Sequence, residues 1–158
     1  MDQSLTQRVM LPDETATIQL GADLAGALSA SPAGWLILLQ GDLGAGKSTM
    51  ARSMLQTFGH AGTVPSPTYT LVEPYDFRSF LAYHIDLYRI SSADELEFLG
   101  WDDLVEGLRI VEWPERIPDI EAEADLLITL SYDGEGRRAA LRGTSERGAA
   151  LLEGMNLN

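Results

Sequence analysis

The spacing of hydrophobic positions along this chain changes several times, and each change marks an element boundary. Residues 8–11 read as a short extended start. Beyond them Ile18, Leu20, Leu24 and Leu28 recur at helical spacing, which predicts a helix capped by Asp13 and running to about Leu28. The stretch "SPAG" (31–34) ends it. "WLILLQ" (35–40) is an unbroken apolar run, the pattern of a strand buried on both faces of a parallel sheet. Residues 48–58 return to helical spacing and stop at Gly59.

After a loop at "AGTVPSP" (61–67), "TYTLVEPY" (68–75) and "FLAYHIDLY" (80–88) read as strands near enough for an antiparallel hairpin. Ser92 opens a short helix through Leu99, with Glu95 placed as its capping-box partner. "LRIVEW" (108–113) is a further buried strand, and 126–143 form a hairpin turning at Asp133 to Gly136. A terminal helix starts at Ser145. No repeat or linker interrupts the series, so one α/β domain is expected.

Composition narrows the field. The 158 residues are 45% hydrophobic and include no cysteine, which excludes disulfides and thiolate metal sites and suits a reducing compartment. No basic segment precedes a long apolar stretch near the N-terminus, and the longest apolar run, Trp35 to Leu39, is too short to span a bilayer. A cytoplasmic protein without a membrane partner is the expectation. Eleven Lys and Arg against 24 Asp and Glu give a net charge of −13, which repels nucleic acid phosphates at long range. Arg137, Arg138, Arg142 and Arg147 are too sparse a group to hold a duplex unaided.

Between the buried strand and its helix lies "GDLGAGKSTM" (41–50). Gly41, Gly46, Lys47 and Ser48 satisfy G-x-x-x-x-G-K-[ST] in the strand–turn–helix context that the motif requires. Glycines let successive backbone N–H groups close around phosphate oxygens. Lys47 is placed to reach the β- and γ-phosphates, and the Ser48 hydroxyl to ligate Mg²⁺. A nucleotide site therefore runs from Gly41 through Asp42, Leu43, Gly44, Ala45, Gly46, Lys47 and Ser48 to Thr49.

Such a site calls for acids at the carboxyl ends of neighbouring strands. Asp86 ends "LAYHID" and Glu112 ends "LRIVE". Either can serve Mg²⁺ while the other orients the attacking water. Thr68 offers a hydroxyl on a loop, as switch segments do. His84 alternates with Asp86 and so shares its side of the strand, where it either meets the site or packs. Trp113 suits a base, an interface or the core. Trp35 is assigned to the core, and His60 to a solvated helix end.

Together, "GDLGAGKST", "SPTYTLVEPY", "HIDLYRI" with "ELEFLG", and "IVEWPERI" closely resemble the bacterial TsaE (YjeE) family, from about Leu11 to Arg138. The resemblance implies a P-loop NTPase-like sheet, with a parallel centre, added antiparallel strands and helices on both faces. It implies ATP hydrolysis supporting a TsaD–TsaB pair that transfers threonylcarbamoyl to the adenosine beside the tRNA anticodon. By motif, Lys47 binds phosphate, Ser48 and Glu112 hold Mg²⁺, Thr68 is the switch-like threonine and Asp86 the second-strand acid. The segment around Glu14 and Thr15, and Arg137 in "EGRR", match positions that contact the nucleotide from outside the cradle. Ser48 stands where the family usually has Thr, and either hydroxyl can ligate Mg²⁺. Two rival readings use the same cradle: a small-molecule kinase, and a nucleotide-gated binding module with incidental hydrolysis. "RISSADELEFLGWDDL" (89–104), with Arg89 its single basic residue, makes a poor kinase lid.

Overall fold

The computed structural model describes residues 6–68 and 70–157. Strands β1 (Thr6–Leu11), β2 (Leu36–Gly41), β3 (Val72–Asp76), β4 (Leu81–Asp86), β5 (Leu108–Glu112), β6 (Leu126–Asp133) and β7 (Gly136–Gly143) form a sheet ordered β1-β7-β6-β2-β5-β4-β3. The central β6, β2, β5 and β4 run parallel, while β1, β7 and β3 pair antiparallel with their neighbours. The expected parallel centre with antiparallel additions is what forms.

The apolar run in β2 is explained by its position. Ile37 and Leu39 enter one core with helices α1 (Glu14–Leu28), α2 (Lys47–Phe58) and α4 (Glu146–Met155), whereas Leu36 and Leu38 enter the other. On that second face the cover is short: α3 (Asp94–Phe98) and 3₁₀ turns at Trp101–Leu104, Pro114–Arg116 and Pro118–Glu123. Ile90, Leu96, Trp101 and Leu104 are buried there, so residues 89–104 are packed onto the sheet. Among the described residues no helix is long and apolar enough to cross a membrane.

Local chemistry sets the helix ends. The Asp13 carboxylate accepts from Ala16 N–H at 2.9 Å, and Ser145 caps α4 by accepting from Gly148 N–H at 3.0 Å. Gly59 ends α2 at φ 122°. Trp35 is buried as expected, with the Arg147 guanidinium over its ring at 4.6 Å.

Four local expectations need correction. Residues 68 and 70–71 are turn rather than strand, because Leu71 adopts φ 70° and its N–H is held by the Pro67 carbonyl at 2.7 Å (Tyr69 lies outside the described residues). The capping box at Ser92 does not form; Ser91 donates instead to Glu95, at 2.5 Å. Trp113 leaves the strand at φ 60°, which ends β5 at Glu112. His60 is half-buried, with its ring edge-on to Tyr75 at 4.9 Å and its Nε2 paired with the Thr63 carbonyl.

Candidate nucleotide site

The glycines of the 41–48 loop are needed for different physical reasons. A β-carbon on Gly41 would overlap the Leu130 carbonyl oxygen on adjacent β6. Gly44 sits at φ 82° and Gly46 at φ 112°, in the left-handed region that other residues enter at a cost. Gly46 then starts α2 without a side-chain cap, so the first-turn N–H groups are left for a ligand.

Lys47 opens α2 with its side chain turned into the loop. Nζ donates to the carbonyls of Gly41 (2.5 Å) and Asp42 (3.0 Å) and lies 4.2 Å above the Trp113 ring. The residue is 4% exposed. Burial pushes its ammonium below the usual lysine range, against the pull of Glu112, Glu115, Asp86 and Asp42.

Parallel pairing of β4 with β5 sets Asp86 opposite Glu112, and β2 pairs Leu39 with Glu112. The two acids therefore stand beside the loop at the carboxyl ends of the central strands. The Ser48 hydroxyl donates toward both Glu112 oxygens, at 3.0 and 3.1 Å, and His84 Nε2 lies 2.6 Å from Oε2. Asp86 accepts from Tyr88 N–H at 2.8 Å and, at a longer 3.4 Å, from the Thr68 hydroxyl. Burial pushes the Asp86 carboxyl up, the Tyr88 amide opposes this, and Glu112 adds to the rise.

The turn carrying Thr68 is docked onto the same place. Asp86 N–H donates to the Leu71 carbonyl at 2.9 Å, Arg89 Nε to the Thr68 carbonyl at 3.0 Å, and Ser66 pairs with Thr68 at 2.7 Å. Leu43, Lys47, Ser48, Thr68, Asp86, Tyr88, Glu112 and Trp113 border a cleft of about 370 Å³. Tyr88 packs on Trp113, with ring centres 4.9 Å apart, so two aromatic rings form one wall.

On the far side of the loop is a smaller hollow of about 150 Å³, bordered by Glu14, Thr17, Gly44, Thr49 and Arg137. Thr15 is exposed and borders neither space; Thr17, one helical face away, takes the inward position. Arg137 donates to the Gly44 carbonyl at 3.3 Å and lies 4.2 Å over the Tyr132 ring, and the Tyr132 hydroxyl donates to the Leu43 carbonyl at 2.7 Å. The β6–β7 hairpin thus braces the loop. Tyr132 and Thr17 lie outside the quoted motifs and meet the loop from distant chain segments, whereas Ser66 and Tyr88 lie inside the motifs "SPTYTLVEPY" and "HIDLYRI" but were not singled out there.

The donor set fits a magnesium–nucleotide pair. A buried carboxylate and a hydroxyl converge next to a lysine and a glycine cradle, and hard cations of this kind take one or two such oxygens and complete their shell with phosphates and water. Among the described residues no group of three or more His, Asp and Glu is placed to hold a metal alone.

Sheet order, loop and flanking acids define a P-loop NTPase-like fold. The family model described as "Threonylcarbamoyl adenosine biosynthesis protein TsaE" matches residues 11–140. A "tRNA threonylcarbamoyladenosine biosynthesis protein TsaE" of Haemophilus influenzae is 39% identical over 154 residues, covering 95% of this chain and 96% of the relative. One from Synechocystis sp. is 43% identical over 119 residues, or 72% and 73% of the two chains. The solved structure described as "Crystal structure of Bacillus subtilus YdiB" superposes with a TM-score of 0.73 at 25% identity, covering 98% of this chain and 95% of that one. The chain belongs to the TsaE family.

Proposed function

We propose that this protein binds ATP with Mg²⁺ and hydrolyses ATP in tRNA threonylcarbamoyladenosine biosynthesis. It would act on a TsaD–TsaB pair that transfers threonylcarbamoyl to the adenosine next to the anticodon. The tRNA would be met only through that complex, in the cytoplasm. The observation that carries the reading is the Ser48–Glu112 pair at the head of a glycine loop that contains a buried Lys47.

In this reading the loop amides and Lys47 hold the phosphates, and Ser48 and Glu112 hold Mg²⁺. The ion supplies positive charge against the phosphate oxygens. Asp86 is the candidate to orient water: Oδ1 is taken by the Tyr88 amide, whereas among the described residues Oδ2 meets only the distant Thr68 hydroxyl. A carboxyl pushed upward by burial is also a better proton acceptor than an ordinary one. Glu14 and Arg137, from the second hollow, would contact the nucleotide outside the cradle.

Burial of Ile90, Leu96, Trp101 and Leu104 argues against the kinase alternative, since residues 89–104 serve as core cover and not as a lid. Reconstituting the tRNA modification with and without this protein, ATP present in both, tests the proposal. Full product yield without it would refute the role.

A further inference from the structure

We infer that His84 is a positioning residue that holds the Glu112 carboxylate in its orientation toward Ser48. This rests on reading the cleft as a magnesium–nucleotide site. His84 lies on β4 in register with Ile110, two residues before Glu112 on β5. Its imidazole therefore reaches Glu112 diagonally, from deeper in the sheet, while Asp86 occupies the place directly opposite. His84 is 1% exposed and Glu112 3%, and Nε2 approaches Oε2 to 2.6 Å, the length of a strong, charge-assisted contact.

Glu112 has two side-chain donors with different tasks. Ser48 is at the loop–helix junction, where its hydroxyl has to face an arriving cation, so it cannot also serve as the fixed anchor. His84 stays behind the carboxylate, on a central strand, and holds the side chain whichever way Ser48 turns. Ligating carboxylates depend on such outer partners for orientation and affinity.

Packing alone does not account for an imidazole here. Nδ1 is buried with no hydrogen-bond partner among the described residues, a cost that an apolar side chain of similar size would not carry. The ring's polar engagement is with Glu112. The same contact decides between the two roles the sequence left open for His84.

The test measures Mn²⁺ binding to the ADP complex by electron paramagnetic resonance, ADP binding without divalent metal by calorimetry, and steady-state ATP hydrolysis. His84→Leu, folded by circular dichroism, is expected to bind Mn²⁺ at least tenfold more weakly. Metal-free ADP affinity should stay within twofold, and kcat should fall more than KM rises. His84→Gln, whose amide can still donate to Glu112, should recover Mn²⁺ affinity to within threefold of the parent. In a Glu112→Gln background, His84→Leu should cause no further loss. A folded leucine variant with parental Mn²⁺ affinity, or an equal loss in the Glu112→Gln background, would overturn the inference. Should His84→Leu fail to fold, His84→Asn, whose amide is too short to reach, must bind Mn²⁺ more weakly than His84→Gln; equal affinities sink the idea. A parent protein that binds no Mn²⁺–ADP at all overturns the reading of the cleft, and this inference with it.

Discussion

Asp86 and Glu112 are register partners at the ends of β4 and β5, yet their carboxylates are held by different groups. Glu112 faces two side-chain donors, Ser48 and His84, whereas Asp86 is held by the Tyr88 amide and a long contact from Thr68. On the proposed reading, that asymmetry divides the labour. Glu112→Gln keeps shape and removes charge, so hydrolysis should fall at least tenfold, about 1.4 kcal/mol in barrier, while nucleotide still binds. Steady-state assays beside calorimetry check this. A parental rate would transfer the metal role to Asp86.

Lys47→Ala should weaken ATP·Mg²⁺ binding by about 1.5–3 kcal/mol or more, the usual loss for a hydrogen bond to a charged group. The side chain is buried against two loop carbonyls and Trp113, so some stability is lost too. Circular dichroism establishes that the variant is folded before calorimetry measures affinity. Unchanged affinity in a folded variant would refute the phosphate assignment.

Gly41→Ala and Gly44→Ala should differ in kind. At Gly41 the new methyl meets the β6 backbone at Leu130, which cannot move aside, so a large drop in melting temperature is expected. At Gly44 it meets the Tyr132 hydroxyl at 2.7 Å, the far end of a half-exposed side chain, and φ 82° adds strain of about 1–2 kcal/mol. Thermal unfolding of both variants is the measurement. Equal losses would contradict the backbone argument.

Acid should weaken the fold through Asp125. Burial pushes its carboxyl up, but hydrogen bonds from Arg147, the Leu36 amide and Ser145 outweigh that and hold it below the usual carboxylate range. A depressed folded-state pKa contributes stability above the unfolded value, about 3.9, which is lost as pH falls through the folded value. Asp125→Ala should therefore lose about 1–3 kcal/mol at neutral pH, since it strands the buried Leu36 amide and removes the acceptor for Arg147 and Ser145. The variant should also show a shallower decline in stability below pH 4. Urea unfolding across pH reads both, and parallel pH profiles would count against the assignment.

The isolated chain should bind tRNA weakly and hydrolyse ATP slowly until the TsaD–TsaB pair is added. A charge of −13 repels RNA, and three of the four sparse arginines are engaged within the protein: Arg147 with Asp125, Arg142 with Glu121, Arg137 with the loop. Phosphoryl transfer gains about 10³–10⁵ from a positive group supplied in trans. Filter binding at low salt and ATPase assays with and without the pair distinguish the outcomes. Tight tRNA binding alone, or a rate indifferent to the pair, would defeat this expectation.

The sequence by itself determined whatever depends on neighbours along the chain. The β2 apolar run, the glycine loop and the Asp13 cap are local, and each was legible because a few adjacent residues dictate one backbone path. Asp86 and Glu112 were legible as acids at strand ends, which follows from where apolar runs stop. Tertiary structure decided what those residues touch. Parallel registration of β4 and β5 brought His84 onto Glu112, a contact no spacing encodes, and the hydrogen bonds of Leu71 to Pro67 and of Asp86 to Leu71 overrode the strand propensity there. Closure of the β6–β7 hairpin against the loop gave Tyr132 its bond to Leu43, 89 residues away. Helical rotation placed Thr17 rather than Thr15 beside the cradle. Propensity and motif act over a few residues, whereas the burial of a charged site is settled only when distant strands fix one another's register.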